Sequence, residues 1–191
     1  MLANQRMMIF GFSELIRDVL RAYADKKFEL TVYLLEGRPN CEGYRMYKEL
    51  EHPCITRKLI ADVQMGIKLE EVDYVLIGAE AVSENGGIVN QAGTFSLALC
   101  AKNLEKPLYV LAESFKLFKI WSLSQRDLPE QVKNQKLADP VSRLGEGLEG
   151  VKLEVTTCDY TPPDLISVIV TDARIMKPTA ISDELLQMFT F

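Results

Sequence analysis

The middle of the chain contains an almost wholly apolar run that ends in glycine. Residues Val72 to Gly78 read VDYVLIG. A nearly continuous apolar run, rather than one alternating with polar residues, is typical of a strand buried on both faces of a parallel sheet. Such a strand requires covering layers on both sides, which points to a layered α/β fold. Further strands are predicted at Arg6 to Phe12, Phe28 to Leu35, Cys54 to Ile60 and Pro107 to Ala112.

Helical patterns separate these strands. Ser13 is a predicted N-cap, because its hydroxyl can accept a hydrogen bond from the first turn of a helix. The apolar stripe of that helix comprises Leu15, Ile16, Val19, Leu20 and Tyr23. Other helices are predicted around Tyr44, Tyr47 and Leu50, near Asp62 to Ile67, and from Thr94 to Lys102. The alternation predicts one α/β domain over residues 1–191, with a doubly wound, mainly parallel sheet and helices on both faces.

The second half of the chain is less regular. Ala79 to Gly93 is interpreted as a loop, and Gln125 to Gly150 as a polar excursion within the domain. Leu153 to Cys158 has the pattern of a strand. The proline-rich segment after it is compatible with helix or strand, although proline in a first turn favours a helix. Ser182 is the predicted cap of a final helix from Asp183 to Phe189.

Polar side chains follow several predicted strands. In a doubly wound sheet, ligands bind in the crevice beyond the carboxyl ends of the strands. Arg38, Glu80, Asn90 and Glu113 each closely follow a strand. We therefore expect these four residues near one rim of the sheet.

The charge and the cysteine pattern exclude several classes of function. The net charge is -5 and the pI about 5.1, whereas a nucleic-acid-binding surface requires a basic face. No apolar run approaches the roughly 20 residues of a membrane span, and no signal peptide is recognisable. The four cysteines form no C-x-x-C pair and His52 is the only histidine, which disfavours a zinc site and histidine-dependent nucleophiles. We expect a cytoplasmic protein with reduced thiols and no metal or cofactor, which contacts neither nucleic acid nor membrane.

A set of motifs is specific to one protein family. Val72 to Phe118 contains VDYVLIGAEAVSENGG, NQAGT and AESFKLF in succession. LLEGRP at Leu34 to Pro39, DYTPPDLI at Asp159 to Ile166 and the final ISDELLQMF accompany them. From about Met7 onward, the chain resembles the C-terminal, Rossmann-like domain of the alpha, beta and delta regulatory subunits of eukaryotic translation initiation factor 2B. AESFKLF and ISDELL look most like the alpha type. The N-terminal helical domain of that family has no counterpart in the sequence.

The same fold family includes methylthioribose-1-phosphate and ribose-1,5-bisphosphate isomerases. These enzymes use a cysteine after the first strand and an aspartate after the central strand. The resemblance places the cysteine position at about Gly11 and the aspartate position at Glu80, and Gln91 stands where the isomerases have lysine. Glycine has no side chain that could transfer a proton, so half of the acid/base pair is missing. The resemblance therefore implies a non-catalytic protein, with a sugar-phosphate isomerase as the alternative.

Binding of a sugar phosphate without catalysis is a further expectation. Arg38 could clamp a phosphate, and the free amides and dipole of the helix that begins at Thr94 favour an anion. Glu80 and Asn90 could bind sugar hydroxyls. The candidate ligand-binding residues are Arg38, Glu80, Asn90, Gln91, Gly93 and Thr94.

Several residues of this region also have a purely structural interpretation. Asn85 and Gly86 are typical of a turn, and Gly93 followed by Thr94 is typical of a helix start. Arg38 could instead form an ion pair with Glu36 or Glu80.

The resemblance implies a regulatory, non-catalytic subunit of the guanine-nucleotide exchange factor for initiation factor 2. It implies a homodimer that joins the other subunits of initiation factor 2B and helps to sense the phosphorylated alpha subunit of initiation factor 2. Arginine clusters commonly recognise phosphoserine. Here the arginines that could do so are scattered, at Arg6, Arg17, Arg21, Arg38 and Arg45. The sequence does not locate that surface.

Overall fold

The computed structural model describes residues 4–119, 121–122, 124–128 and 156–189, with side chains up to residue 187. The strands are β1 (Gln5–Phe10), β2 (Leu30–Leu35), β3 (Ile55–Ile60), β4 (Tyr74–Gly78), β5 (Ala81–Ser83), β6 (Ile88–Gln91), β7 (Leu108–Leu111), β8 (Leu117–Phe118), β9 (Cys158–Thr161), β10 (Val168–Val170) and β11 (Ile175–Met176). The helices are α1 (Glu14–Asp25), α2 (Glu42–Glu49), α3 (Met65–Leu69), α4 (Thr94–Asn103) and α5 (Ile181–Phe189). Within this part of the chain, no helix has the length and apolar character needed to cross a membrane.

Seven strands form a large sheet in the order β11-β10-β7-β4-β1-β2-β3. Neighbouring strands are parallel except for the β10–β11 pair at one edge. The chain runs outward from β1 through β2 to β3, then returns to place β4 on the other side of β1. This order confirms the predicted doubly wound, mainly parallel sheet. The reversal between β1 and β4 is the switch point at which such sheets open a crevice.

Successive side chains of β1 point to opposite faces of the sheet and so belong to two separate hydrophobic cores. Met7 and Ile9 pack on the face covered by α1 and α2. Met8 and Phe10 pack on the opposite face, which α3, α4 and α5 cover. Each such side chain stabilises the fold by about 1.5–3 kcal/mol through removal of apolar surface from water. Helices on both faces are thus confirmed, and they hold the ends of β1 and β4 in place.

Helix α1 begins as the sequence predicts. The Ser13 hydroxyl accepts a hydrogen bond from the backbone N–H of Ile16 at 3.3 Å. Ile16 and Leu20 are buried, whereas Val19 is 43% exposed, so the buried stripe is narrower than predicted. Ile16, Leu20 and Ala24, which are spaced by four residues, lie on the side of α1 that packs on the sheet. Val19 lies at the edge of that side.

A second, four-stranded sheet has the order β8-β5-β6-β9. Its strands β5 and β6 lie within Ala79 to Gly93, so the prediction that this whole segment is a loop is wrong. The two strands pair in antiparallel fashion across the predicted turn at Asn85 and Gly86. Strands of three and four residues are too short for their alternation to register in the sequence. Because β5 follows β4 after two residues, the small sheet lies beyond the carboxyl end of β4.

The structure differs from several predictions for the last part of the chain. Helix α5 begins at Ile181, so Ser182 lies inside the helix instead of capping it. The proline-rich segment contains both alternatives, a 3-10 turn at Pro163–Leu165 and then strand β10. The strand predicted from Leu153 to Cys158 is not found where it can be checked: residues 153–155 lie outside the described residues, residues 156 and 157 are not in a strand, and Cys158 is the first residue of β9. Most of the polar excursion, residues 129–150, also lies outside the described residues.

Candidate functional site

A cavity of about 290 Å³ opens at the switch point, at the carboxyl ends of β1 and β4. The residues after β1 and β4, the end of β6 and the loop after β7 form most of its wall. It is lined by Phe10, Gly11, Phe12, Ser13, Glu14, Leu15, Glu42, Gly78, Ala79, Glu80, Asn90, Gln91, Glu113, Phe115 and Lys116. Glu80, Asn90 and Glu113 therefore meet at one rim, whereas Arg38, Gly93 and Thr94 do not line the cavity.

Gln91 forms part of the wall between the ends of β1 and β2. Its side chain is buried, and Nε2 donates a hydrogen bond to the backbone carbonyl of Gly37 at 2.8 Å. Its Oε1 lies 2.8 Å from the point that a Cβ atom on Gly11 would occupy. Gly11 also has a φ of +77°, which side-chain-bearing residues rarely adopt. A side chain at position 11 would therefore clash with Gln91 and strain the backbone.

Asn90 and Thr94 form a buried pair at the start of α4. The Nδ2 atom of Asn90 donates to the Thr94 hydroxyl at 3.1 Å. That hydroxyl in turn donates to the backbone carbonyl of Gln91 at 2.6 Å. Thr94 is thus the first residue of the helix, after Gly93 as N-cap, and does not itself cap it. Its role is to fix the side chain of Asn90, which reaches the cavity.

The amino end of α4 is already occupied by a carboxylate. The Oδ2 atom of Asp159 accepts hydrogen bonds from the backbone N–H groups of Gly93 at 2.7 Å and Phe95 at 3.0 Å. Burial raises the pKa of Asp159 to about 6, although these two hydrogen bonds act in the opposite direction. Two of the amides that the sequence suggested as free for a phosphate are therefore bonded to the protein's own anion.

Carboxylates outnumber cations around the mouth of the cavity. Glu14, Glu42, Glu80 and Glu113 line it together with Lys116. Lys116 Nζ lies 2.9 Å from Glu113 Oε2. Burial opposes the ionisation of Glu113, but this ion pair prevails and lowers the pKa of its carboxyl group. The surplus of carboxylates makes the mouth electronegative.

Arg38 lies away from the cavity. Its Nε atom is 3.1 Å from Glu36 Oε2, and its side chain is half exposed. Its backbone N–H donates to Asp62 Oδ2 at 2.7 Å, and that of Gly37 donates to Asp62 Oδ1 at 2.9 Å. The structural interpretation, an ion pair with Glu36, is thus the one found in the structure.

Sequence reasoning missed the roles of Asp62 and Asp159. Asp62 lies two residues after the end of β3, so the rule that selected residues after strand ends could have found it. Asp159 carried no local signal beyond its family motif, because its role depends on the pairing of β9 with β6 in the small sheet. Phe115, which as part of the turn after a strand could have been buried in the core, is instead 72% exposed at the cavity mouth.

Within the described part of the chain, no three carboxylate, thiol or imidazole side chains lie close enough together to hold a metal ion. None of the four cysteines forms a disulfide.

The sequence model of the Initiation factor 2 subunit family matches residues 2–178. The chain is 37% identical over 190 residues to "Translation initiation factor eIF2B subunit alpha" of Dictyostelium discoideum, covering 96% of this chain and 58% of that protein. It is 30% identical over 186 residues to the protein of the same name from Caenorhabditis elegans, covering 97% and 59%. The chain thus spans about three fifths of the length of these relatives.

Two solved structures have a similar fold. The translation initiation factor eIF-2B of Pyrococcus horikoshii OT3 superposes with a TM-score of 0.78 at 27% identity, covering 93% of this chain and 60% of that one. The 5-methylthioribose 1-phosphate isomerase of the same organism also gives 0.78, at 21% identity, covering 97% and 55%. Because the identity to the isomerase is only 21%, that similarity shows a shared fold and nothing more.

Proposed function

Because the chain belongs to the Initiation factor 2 subunit family, we propose that it is an alpha-type regulatory subunit of the guanine-nucleotide exchange factor for translation initiation factor 2. The alpha assignment is supported by the relatives from Dictyostelium discoideum and Caenorhabditis elegans, both named as alpha subunits. In this role the protein acts in the cytoplasm by assembly and not by catalysis.

The contact between Gln91 and Gly11 is the observation that carries the non-catalytic part of the proposal. The isomerases that the chain resembles use a cysteine at the position of Gly11. Here the Gln91 amide lies 2.8 Å from the place of a Cβ atom at that position. The cavity thus offers Glu80 as a carboxylate without the thiol that would share proton transfer with it. Gln91 itself replaces the lysine of the isomerases.

The proposed partners follow from membership of the family. The protein forms a homodimer, joins the other subunits of initiation factor 2B and contributes to sensing the phosphorylated alpha subunit of initiation factor 2. The acidic balance of the chain, with a net charge of -5, favours such protein partners over nucleic acid.

Affinity purification of the tagged protein from its own cells tests this proposal. We expect stoichiometric recovery of the other exchange-factor subunits together with initiation factor 2, identified by mass spectrometry, and none from cells that express the tag alone. Recovery of the protein as an isolated homo-oligomer would overturn the regulatory assignment.

A turnover assay tests the non-catalytic part separately. Purified protein incubated with methylthioribose 1-phosphate or ribose 1,5-bisphosphate is expected to yield no isomerised product. Turnover that disappears in the Glu80→Gln variant would establish the isomerase alternative.

Binding of a sugar phosphate without turnover stays a prediction. Glu80, Asn90 and Gln91 lie where sugar hydroxyls could contact them. The two features expected to hold the phosphate lie elsewhere, since Arg38 is paired with Glu36 and the amides at the start of α4 are bonded to Asp159.

A further inference from the structure

We propose that Asn85 is a site of covalent modification, spontaneous deamidation to aspartate or isoaspartate, which the folded small sheet blocks and which local opening of that sheet permits. This inference goes beyond the proposed regulatory function and does not depend on it. It rests on the sequence of the turn between β5 and β6, on the hydrogen bonds of the Asn85 side chain and on the packing around Gly86.

The Asn-Gly sequence of the turn supplies the reacting groups. The backbone nitrogen of Gly86 attacks the side-chain carbonyl carbon of Asn85, and the new C–N bond closes a succinimide ring. The bond to Nδ2 breaks, and Nδ2 leaves as ammonia with the proton of the Gly86 N–H. Water then adds across one C–N bond of the ring and yields aspartate or isoaspartate. Glycine favours the attack because no side chain hinders its nitrogen. Of the six asparagines in the chain, only Asn85 is followed by glycine.

Hydrogen bonds hold the Asn85 side chain in the native structure. Its Nδ2 atom donates to the backbone carbonyl of Ser122 at 2.5 Å and to the Tyr160 hydroxyl at 2.9 Å. Its Oδ1 atom accepts from the Ser83 hydroxyl at 2.6 Å. The two donors and the acceptor of the amide are therefore all engaged. Rotation of the amide towards the attacking nitrogen must break these bonds first.

The attacking nitrogen is constrained as well. The N–H of Gly86 donates to the backbone carbonyl of Ser83 at 2.8 Å. A Cβ atom on Gly86 would lie 2.1 Å from the backbone oxygen of Pro178, and one on Gly87 would lie 2.2 Å from the Tyr160 hydroxyl oxygen. Segments distant in sequence thus enclose the turn and leave its backbone no room to bring the nitrogen onto the neighbouring amide.

Opening of the small sheet removes these restraints together. Tyr160 belongs to β9, so its hydroxyl reaches the turn only while β9 is paired with β6. Deamidation is slow compared with the closing of a sheet, and its rate therefore follows the population of the locally open form. The amount of modified Asn85 accordingly records how often the small sheet opens.

The products do not fit the closed turn. Aspartate and isoaspartate lack the NH₂ group that donates to Ser122 and Tyr160, and isoaspartate also adds a methylene group to the backbone of the turn. Asn85→Asp, which reproduces one product, should lower the melting temperature of the full chain by about 2–8 °C. An unchanged melting temperature would overturn this consequence of the modification.

Peptide mapping of the full chain by mass spectrometry, after incubation at mildly alkaline pH, tests the proposal. We expect Asn85 to deamidate at least about tenfold more slowly in the native protein than in guanidinium chloride, where the turn is always open. In guanidinium chloride Asn85 should also react faster than the other asparagines of the same digest, because only its nitrogen neighbour is glycine.

Two variants test the contacts that block the reaction. Tyr160→Phe removes the hydroxyl and keeps the ring, and we expect it to raise the native rate about three- to tenfold through loss of one hydrogen bond. Ser83→Ala, which removes the donor to Oδ1, should act in the same direction. Tyr44→Phe, an exposed tyrosine on α2, is the matched control and should leave the rate unchanged. In guanidinium chloride all of these proteins should react at the same rate, which assigns the differences to the fold.

Equal rates at Asn85 in native and unfolded protein would overturn the proposal. So would an unfolded chain in which Asn85 reacts no faster than the other asparagines, or a native rate that stays unchanged in both Tyr160→Phe and Ser83→Ala. None of these results bears on the co-purification that tests the regulatory function.

Discussion

The side-chain amide of Gln91 donates a hydrogen bond to the backbone carbonyl of Gly37 at 2.8 Å, joining the small sheet to the loop after β2. Its other amide atom, Oε1, lies against Gly11, the residue that follows β1. One side chain thus connects the ends of two neighbouring strands and occupies space that a larger residue at position 11 would need.

Substitutions at Gly11 and Gln91 should therefore be coupled. Gly11→Ala is expected to lower the free energy of unfolding by about 2–3 kcal/mol, because its Cβ meets Gln91 Oε1 and its φ of +77° is strained for alanine. Gln91→Ala should cost about 1–2 kcal/mol through the lost hydrogen bond. The double variant should be at least about 1 kcal/mol more stable than the sum of the two changes, as measured by urea unfolding. Additive effects would show that the two residues do not compete for space.

The carboxyl group of Asp159 should make stability depend on pH. Burial raises its pKa in the folded state to about 6 from an ordinary value of 3.8. The folded state therefore binds the proton more tightly, and the contribution of this group to stability is full below about pH 4 and is lost as pH rises through about 6. Asp159→Asn should gain stability relative to the parent protein over that window, by up to about 3 kcal/mol.

Thermal or urea unfolding of both proteins between pH 4 and pH 7 measures this difference. Asp164→Asn, an exposed carboxylate five residues further on, controls for the removal of one negative charge from the chain. A difference between Asp159→Asn and the parent protein that stays constant across the window would contradict the prediction.

The cap of α1 should contribute a modest amount of stability. Ser13→Ala removes the hydroxyl that accepts from the Ile16 N–H, and we expect a loss of about 1 kcal/mol in the free energy of unfolding. Ser13→Asn, which retains a capping oxygen, should recover most of it. If the asparagine variant were as unstable as the alanine variant, the effect would not lie in the cap.

The central strand should be the most sensitive part of the fold. Ile77 in β4 is fully buried, whereas Ile67 in α3 is 69% exposed. Ile77→Ala should cost about 2–5 kcal/mol, since it leaves a cavity that the packed sheet cannot close. Ile67→Ala, the same chemical change, should stay within about 0.5 kcal/mol of the parent protein. Similar losses for both would contradict the assigned burial.

The large sheet could be predicted from local pattern alone. Its longer strands, such as β2 and β4, are continuous apolar runs, and the helix between β1 and β2 begins with the capping residue Ser13. These patterns are visible in the sequence because they arise from the burial of a whole strand or helix. The small sheet could not be predicted in this way. Its strands β5 and β6 span three and four residues, and each also pairs with a strand distant in sequence, β5 with β8 and β6 with β9.

The candidate site likewise contains some residues that could be placed from the sequence and others that could not. Placement of Glu80 and Glu113 at one rim followed from the rule that strand ends meet at the switch point, whereas Asn90 reaches that rim from within β6 of the small sheet. The rule could not place Arg38, because an exposed side chain takes the nearest favourable partner, here Glu36. Nor could it reveal that a carboxylate from β9 occupies the amino end of α4.

The sequence by itself determined the doubly wound architecture and the family, because burial periodicity and extended motifs are encoded in consecutive residues. Only the tertiary structure decided the chemistry of the cavity. Gln91 beside Gly11, and Asp159 at the start of α4, meet through sheet pairing between segments far apart in the chain. Hydrogen bonds and charge depend on distances of a few ångströms, and those distances exist only after the two sheets have assembled.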